Sequence, residues 1–314
     1  MKTMKLALYN VFRNKRRTLI TMLSIISASG AIIVFGGFIT FTFDVLRERT
    51  IHTQLGHFQI AVQGFFDKGA GRDATHLLTA PDDIESKLRQ LPHVRTVTQR
   101  LAGSGLVSTG ESTLTGILIG IEPEKENDFA YSEVLLQGRQ LGVGNKNECL
   151  IGEGLAKGLG ASLDDTLTIL SNTLEGMINA TECTVTGIVQ TGSKTYDAVY
   201  VKMHLNDLQS LLDTQGIEKL LVLLDETKNV PVVSPMIQSL VQGTDIEMRE
   251  WIQLAEFYKS AVNLYTSIFR FSSFVLAFVV LLSITNTMSM CVFERFREIG
   301  TLRAIGERRS GIMK

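Results

Sequence analysis

The sequence predicts an α+β membrane protein in which two transmembrane helices flank a large, mixed α/β extracytoplasmic domain. Residues 18–43 and 271–293 form runs of 26 and 23 residues without Asp, Glu, Lys or Arg. A bilayer core of roughly 30 Å needs about 20 apolar helical residues, so each run is long enough to span it. The charges support the same architecture, because both ends of the chain are basic and the stretch between the runs is acidic.

The whole-chain composition conceals this division. The 314 residues carry a formal net charge of -1, and 45% of them are hydrophobic. Such a balance excludes a chain-wide basic surface, so no nucleic-acid partner is expected, and it excludes a disordered chain. Three cysteines are too few for a disulfide scaffold.

The flanking charges predict the orientation in the membrane. Residues 1–17 hold six cations and no acid, and residues 294–314 hold six cations and three acids. Because basic flanks stay in the cytoplasm, both termini of this chain are expected there and residues 44–250 outside. A cleaved signal peptide is the alternative for the first run. The sequence Thr42-Phe43-Asp44-Val45-Leu46 lacks the small residues of a cleavage site, which favours an uncleaved anchor.

Small and polar residues mark one stripe of each predicted membrane helix. Their spacings of three and four place them on one face, where small side chains let helix backbones approach closely. The helix-packing candidates are Ser24, Ser27, Ala28, Ala31, Ser283, Asn286 and Thr287. Two interpretations stay open: the two helices pack on each other, or they form the seam of a homodimer or heterodimer. Neither run holds a charged residue, which argues against an ion or proton pathway.

The region between the runs shows short strand and helix patterns separated by turn residues. The predicted strands are 55–62, 94–100, 105–109, 114–121, 148–151, 167–170, 181–190, 198–201, 220–224 and 246–249. The predicted helices are 81–91, 153–159, 206–212 with Asn206 as its cap, and 232–241. Residues 64–72 suggest a flexible loop. From Trp251 a helical pattern continues without a breaker into the second run, so residues 251–270 are expected to form a rigid helical stalk.

No motif in the chain supports a catalytic or metal site. Residues 187–195 resemble a phosphate-binding loop, but the lysine is one place late and a strand is expected to follow. Residues 152–158 resemble a dinucleotide-binding turn with a misplaced third glycine. The five histidines have no metal-ligand spacing. Cys149 and Cys183 both lie in predicted strands, so a disulfide between them stays open.

The segment after the second run, Glu294 to Arg309, has the most specific sequence in the chain. A simple basic flank would explain its cations but not the spacing of three between Ile299, Leu302 and Ile305. That spacing predicts a short amphipathic helix, delimited by Gly300 and Gly306, on the membrane surface or in the groove of a partner.

This segment resembles the ERxREIGxxRAxG segment of the FtsX-like permeases of ABC transporters, the group with the MacB and LolC/LolE types. Residues 10–18, NVFRNKRRT, are similar to the opening segment of that family. Weaker similarities lie at residues 56–60, 91–94 and 151–156, so the resemblance covers the whole chain. Because the family normally has two further membrane helices after this segment, the chain is expected to be a truncated product or a fragment.

The resemblance implies a fold and a mechanism. The external domain would be of the MacB-core type, and residues 294–314 would contain a coupling helix that docks on a separate ATPase subunit. ATP and Mg would be bound by that ATPase, and this chain would bind no cofactor. Closure of the ATPase would move the coupling helix, then the stalk and then the external domain. The implied coupling residues are Glu294, Arg295, Arg297, Glu298, Ile299, Gly300, Leu302, Arg303, Ile305 and Gly306.

The expected function is therefore that of a non-catalytic permease subunit in the bacterial inner membrane, in contact with membrane lipid and with a second permease subunit. Its cargo would be hydrophobic, and the segment Gly56-His57-Phe58-Gln59-Ile60 favours lipoprotein release. One alternative is a signal transducer that controls a cell-wall hydrolase. Another is drug or peptide efflux with a periplasmic adaptor.

Overall fold

A computed structural model describes residues 15–68, 77–126, 128–129 and 133–306. The chain divides into two compact units. The helical unit comprises Met1–Asp44 and Ser260–Lys314, and the sheet unit comprises Val45–Lys259. Most of the N-terminal family-like segment, residues 10–14, and residues 307–314 after the coupling segment lie outside the described residues.

Ten strands of the described part of the sheet unit form one mixed sheet. They are β1 (Phe58–Val62), β2 (Val94–Ser108), β3 (Thr113–Ile121), β4 (Val134–Gly138), β5 (Glu148–Gly152), β6 (Thr166–Asn172), β7 (Ile178–Gln190), β8 (Tyr200–His204), β9 (Lys219–Leu224) and β10 (Ile246–Glu250). The order is β10-β1-β9-β2-β3-β8-β5-β7-β4, and β6 pairs with β2 and β7. The β3–β8 and β5–β7 pairs are parallel.

Helices connect these strands and flank the sheet unit in sequence. In chain order they are α1 (Lys15–Thr50), α2 (Phe65–Lys68), α3 (Pro81–Arg89), α4 (Pro123–Glu126), α5 (Glu153–Leu159), α6 (Lys194–Asp197), α7 (Leu205–Leu212), α8 (Val230–Val241), α9 (Trp251–Leu254), α10 (Glu256–Glu294) and α11 (Phe296–Ala304). A π-helical turn, Ile51–Leu55, follows α1, and a short 3-10 turn, Thr227–Asn229, precedes α8.

Alternation along the strands divides the buried residues between the two faces of the sheet. In β9, Leu220, Val222 and Leu224 belong to the main core together with residues of α3, α5, α7 and α8. Leu221 and Leu223 belong to a second cluster with Phe129 and Trp251. A third cluster contains Ile121, Leu141, Leu150, Val189 and Tyr200. The second face therefore carries two small apolar clusters instead of one continuous core.

A cluster of buried charges also lies on the second face. Lys202 of β8 is 1% exposed, and its Nζ lies 2.6 Å from Glu133 Oε2 and 3.3 Å from Glu126 Oε1. The Arg100 guanidinium donates to both carboxylate oxygens of Glu126 at 2.8 Å. Tyr200 donates its hydroxyl to Glu133 Oε1 at 2.6 Å. Burial opposes ionisation of Glu126, but the charges of Arg100 and Lys202 lower its pKa, so Glu126 is ionised.

The structure corrects several local predictions. The two strands expected at 94–100 and 105–109 form a single strand, β2, and the edge strand β4 was missed. The strand expected from residue 55 begins only at Phe58, because Gly56 has a φ of +64° after the π-helical turn. Within the expected loop at 64–72, residues 65–68 form α2, and residues 69–72 lie outside the described residues.

Further corrections concern helix ends. Asn206 does not cap α7, since the N-cap position is His204 without a side-chain cap bond. Residues 187–190 lie in β7, and the short helix α6, not a strand, begins at Lys194. The helical pattern from Trp251 is interrupted, because Ala255 has φ -83° and ψ 62°, outside the helical region. The long helix α10 therefore begins at Glu256 rather than at Trp251.

His57 lies in a buried hydrogen-bond chain between β1 and β9. Its Nδ1 accepts the backbone N–H of Leu224 at 3.0 Å. Nε2 therefore carries the proton and donates to Thr227 Oγ1 at 3.0 Å, and Thr227 donates to a Glu48 carboxylate oxygen at 3.0 Å. Burial lowers the pKa of His57 from 6.5 to about 4. Between about pH 4 and pH 6.5, His57 is therefore neutral in the folded state and protonated in the unfolded state.

We expect the free energy of unfolding of the sheet unit to fall as the pH falls from about 6.5 to about 4. The His57 contribution is fully present above pH 6.5 and is lost by pH 4, a change of about 3 kcal/mol. Urea unfolding followed by fluorescence of Trp251, the single tryptophan, measures it. His57→Gln should flatten this dependence, whereas His93→Asn, at an exposed histidine, should not. If the free energy of unfolding of His57→Gln depended on pH as strongly as that of the wild type, His57 would not be the cause of this dependence.

Cys149 and Cys183 lie buried on β5 and β7 as free thiols, so the structure contains no disulfide between them. A hydrogen bond with Cys183 and burial raise the pKa of Cys149, which keeps this thiol protonated and unreactive.

We expect N-ethylmaleimide to leave Cys149 and Cys183 unmodified in the folded chain. It should alkylate both after unfolding in urea without any reductant, because burial in the folded chain is what protects them. Peptide mass spectrometry of the residues around 149 and 183 checks both states. A linked peptide pair in the unreduced sample would show that the thiols are oxidised.

Candidate coupling helix and the paired membrane helices

The predicted coupling segment forms the separate helix α11. One non-helical residue, Arg295 with φ -97° and ψ 4°, separates it from α10. The helix ends at Ala304, Ile305 is its C-cap, and Gly306 follows with a φ of +101°, a conformation that favours glycine. Gly306 therefore terminates the segment as expected. Gly300, in contrast, lies inside the helix, so the prediction that it delimits the helix is wrong.

Because α11 ends at Ala304, its apolar stripe consists of other residues than the sequence suggested. Ile305 is 79% exposed but lies beyond the last helical residue. Phe296 is 68% exposed at the first helical position, three residues before Ile299 and six before Leu302. Phe296, Ile299 and Leu302 thus occupy one face of the helical backbone. Sequence reasoning missed Phe296, although its spacing from Ile299 was a sufficient signal.

Charged residues surround this stripe. Glu294, Arg295, Arg297 and Arg303 are exposed, as are Gly300, Ile305 and Gly306. Arg303 lies in the last turn of α11, where a cation interacts favourably with the helix dipole. The side chains of Glu298, Ile299 and Leu302 lie outside the described part of the structure. The described residues form a short helix with an exposed aromatic residue and exposed cations, which suits docking on a partner protein.

The two long helices of the helical unit pack against each other. Thr21 and Thr287 have hydroxyl oxygens 3.1 Å apart. The Phe35 and Phe269 rings lie 5.8 Å apart between centroids, and those of Phe43 and Tyr265 6.2 Å. A side chain at Gly36 would lie within 3.5 Å of the Phe269 ring. Contacts of this kind recur along both helices, so they form one packed pair.

The candidate packing residues divide between this contact and the outer surface. Ser24, Ala28, Ser283 and Thr287 are half-buried, whereas Ser27, Ala31 and Asn286 are exposed. Ser24 and Thr287 also donate their hydroxyls to backbone carbonyls one turn earlier, Ile20 and Ser283, at 2.9 Å. Both helices contain a stretch long and apolar enough to cross a membrane, within Leu19–Thr53 and Glu256–Glu294. Ser27 and Asn286 are thus polar residues left exposed on this helix pair.

Comparison with protein families agrees with this architecture. A model of the MacB-like periplasmic core domain matches residues 18–240, and a model of the FtsX-like permease C-terminal region matches residues 270–314. Together these two matches define a class of membrane permease subunits with a periplasmic core domain. Within that class, the chain belongs to the FtsX/MacB/LolC-type family of ABC transporter permeases. This confirms the family and the fold class that the sequence predicted.

Individual relatives are distant. The lipoprotein-releasing system transmembrane protein LolC of Neisseria meningitidis serogroup B is 25% identical over 206 residues, which are 62% of this chain and 49% of that protein. The chain therefore spans about half the length of this relative. The periplasmic region of MacB from Actinobacillus actinomycetemcomitans is 15% identical with a TM-score of 0.48, over 67% of this chain and 95% of that one. The extracellular domain of the noncanonic ABC-type transporter YknZ from Gram-positive bacteria is 13% identical with a TM-score of 0.45, over 62% and 99%.

Proposed function

We propose that the chain couples ATP hydrolysis on a separate ATPase subunit to movement of its extracytoplasmic domain. The observation that carries this proposal is α11, a short helix with an exposed Phe296 and exposed cations one residue after α10. The 39 residues of α10 are about 59 Å long, twice the roughly 30 Å of a bilayer core. A displacement of α11 would be passed along this uninterrupted helix. ATP and Mg would be bound by the partner ATPase, and this chain would be non-catalytic.

The proposed orientation places both ends of this chain in the cytoplasm and the sheet unit outside. The exposed cations of α11 support it, because basic flanks remain on the cytoplasmic side. A second permease subunit would pack against the exposed residues Ser27, Ala31 and Asn286. Asn286 is the strongest argument for this contact, since an amide in hydrocarbon needs a hydrogen-bond partner.

Lipoprotein release is the cargo function that we favour. The curated relative is a transmembrane protein of a lipoprotein-releasing system. In the sheet unit, Met177 and Ile178 at the β6–β7 connection are 58% and 76% exposed. This pair of neighbouring exposed apolar side chains is the contact that we propose for an apolar partner. Efflux with a periplasmic adaptor and control of a cell-wall hydrolase are the alternatives that the same coupling would serve.

Affinity purification of the tagged chain from the inner membrane of the encoding bacterium, with mass spectrometry of bound proteins, tests the proposal. We expect an ABC ATPase, a second permease subunit and an acylated lipoprotein. Met177→Asp with Ile178→Asp should remove the lipoprotein and keep the ATPase. An adaptor or a hydrolase in place of the lipoprotein would select one of the alternatives. A preparation without any ATPase would overturn the coupling role itself.

A further inference from the structure

A cavity of about 250 Å³ lies on the second face of the sheet, beside the buried charge cluster. Arg100 of β2, Tyr200 of β8 and Lys219 of β9 line it, and Arg100 and Lys219 are cross-strand neighbours. Glu218, Glu133 and Tyr196 also line it, together with Thr53 and Thr191. The cavity belongs entirely to the sheet unit and is remote in sequence from the coupling segment.

Two unpartnered polar atoms belong to residues that line this cavity. Among the described residues, the buried side-chain atoms without a hydrogen-bond partner are Arg100 Nε, Glu218 Oε2 and His204 Nε2. Arg100 and Glu218 are 8% and 7% exposed and both line the cavity. A buried donor or acceptor that lacks a partner costs about 1–3 kcal/mol, and more when it is charged. Because both residues line the cavity, a ligand that bonded them there would remove this cost.

The positive and negative charges of the residues that line the cavity are equal in number. Two cations, Arg100 and Lys219, and two anions, Glu133 and Glu218, face the same space. The Arg100 guanidinium already contacts Glu126, and Glu133 contacts Lys202 and Tyr200, whereas Glu218 Oε2 has no hydrogen-bond partner. A ligand with a single charge would unbalance this lining. A ligand that carries both charges would match it.

Size and the remaining walls restrict the ligand further. A volume of about 250 Å³ is below the roughly 300–1,000 Å³ of pockets for drug-sized ligands, so the occupant is smaller. The Tyr196 and Tyr200 rings, 5.0 Å apart between centroids, form an aromatic wall. Leu101, Ile119 and Leu221 add apolar lining. The cavity therefore suits a small polar group with a short apolar attachment.

We propose that this cavity binds a small zwitterion, a molecule with one anionic oxygen group and one ammonium group a few bonds apart. Arg100 donates its unpartnered Nε–H to the anionic group, and Glu218 accepts hydrogen bonds from the ammonium through Oε2. An α-amino acid and the phosphoethanolamine head group of a lipid share this chemistry. The proposal does not rest on the proposed transport function, because all the residues that line the cavity belong to the sheet unit.

Calorimetric titration of the purified full chain in dodecylmaltoside tests it. The probes are L-leucine and glycerophosphoethanolamine, with 4-methylpentanoate and isopentylamine as analogues that carry one charge each. We expect one of the two zwitterions to bind, and the single-charge analogues to bind at least about tenfold more weakly, since each lacks a charged hydrogen bond. Binding of L-leucine identifies an amino-acid site, and binding of glycerophosphoethanolamine alone identifies a head-group site. No binding of either zwitterion, or equal binding of an analogue, overturns the proposal.

Variants locate the site. Glu218→Gln keeps the shape of the side chain and removes its charge, and it should weaken zwitterion binding about ten- to hundredfold. Arg100→Lys should weaken binding by a similar factor because it loses the planar guanidinium. Glu175→Gln, at an exposed acid outside the cavity, is the matched control and should leave affinity unchanged. Wild-type affinity in Glu218→Gln, with thermal unfolding of the variant unchanged, would exclude this cavity as the site.

Discussion

Ile299→Asp together with Leu302→Asp is expected to abolish co-purification of the chain with the ATPase subunit proposed above, with a loss of affinity of at least about a hundredfold. Both positions lie on the face of α11 that begins at the exposed Phe296. In a groove that accepts apolar side chains, each added carboxylate must be desolvated without a partner, which costs several kcal/mol. The measurement is the amount of ATPase retained on the tagged chain, with membrane insertion verified by carbonate extraction.

The opposite face of α11 offers a matched control. Thr301→Asp with Ala304→Asp adds the same two charges to the same helix, about half a turn away. We expect this variant to retain the ATPase. Equal loss in both variants would mean that added negative charge, not the apolar face, disrupts docking. Full retention in the Ile299/Leu302 variant would remove the coupling role of α11.

The structure also distinguishes Phe296 from Ile305 in this interaction. Sequence spacing assigned Ile305 to the stripe, but Ile305 lies beyond the helix and Phe296 lies within it. Phe296→Asp is therefore expected to reduce ATPase retention more strongly than Ile305→Asp. Retention measured in parallel for the two variants checks this order, and the reverse order would restore the stripe that the sequence suggested.

Much of this fold could be predicted from local sequence patterns. The charge-free runs predicted α1 and α10 because apolar length alone selects a membrane helix. Helix α5 was predicted with the observed bounds, Glu153–Leu159, between a strand and Gly160. Strand β4 was missed because all five of its residues are exposed, so no alternation marks it. The break at Ala255 was missed for a similar reason, since alanine is a strong helix former.

The buried charges were the feature that local patterns could not predict. Lys202 lies in a strand whose five residues are all buried, whereas a lysine in sequence is normally expected in solvent. Its partners, Glu126 and Glu133, are more than 65 residues away in the chain. Only the sheet order, with β8 next to β3, brings these groups together. The cavity with Arg100 and Glu218 depends on the same long-range pairing.

Lys202→Met is expected to destabilise the sheet unit by about 3–5 kcal/mol, because it removes the cation from a buried ion cluster and leaves Glu133 with Tyr200 as its remaining described partner. Methionine has a similar length and no charge, so the loss of packing is small. Urea unfolding followed by Trp251 fluorescence measures the effect. Lys157→Met is the matched control: Lys157 also makes a 2.6 Å ion pair, with Glu153, but it is 73% exposed.

The control should change the free energy of unfolding by about 0.5 kcal/mol or less, because an exposed pair exchanges its partner for water at little cost. The contrast therefore isolates burial, since the substitution and the ion-pair distance are the same in both variants. Glu133→Gln added to Lys202→Met should recover part of the lost stability by removing the stranded carboxylate. Equal effects of Lys202→Met and Lys157→Met, or no recovery in the double variant, would show that the cluster is solvated and that the cavity beside it is an ordinary surface.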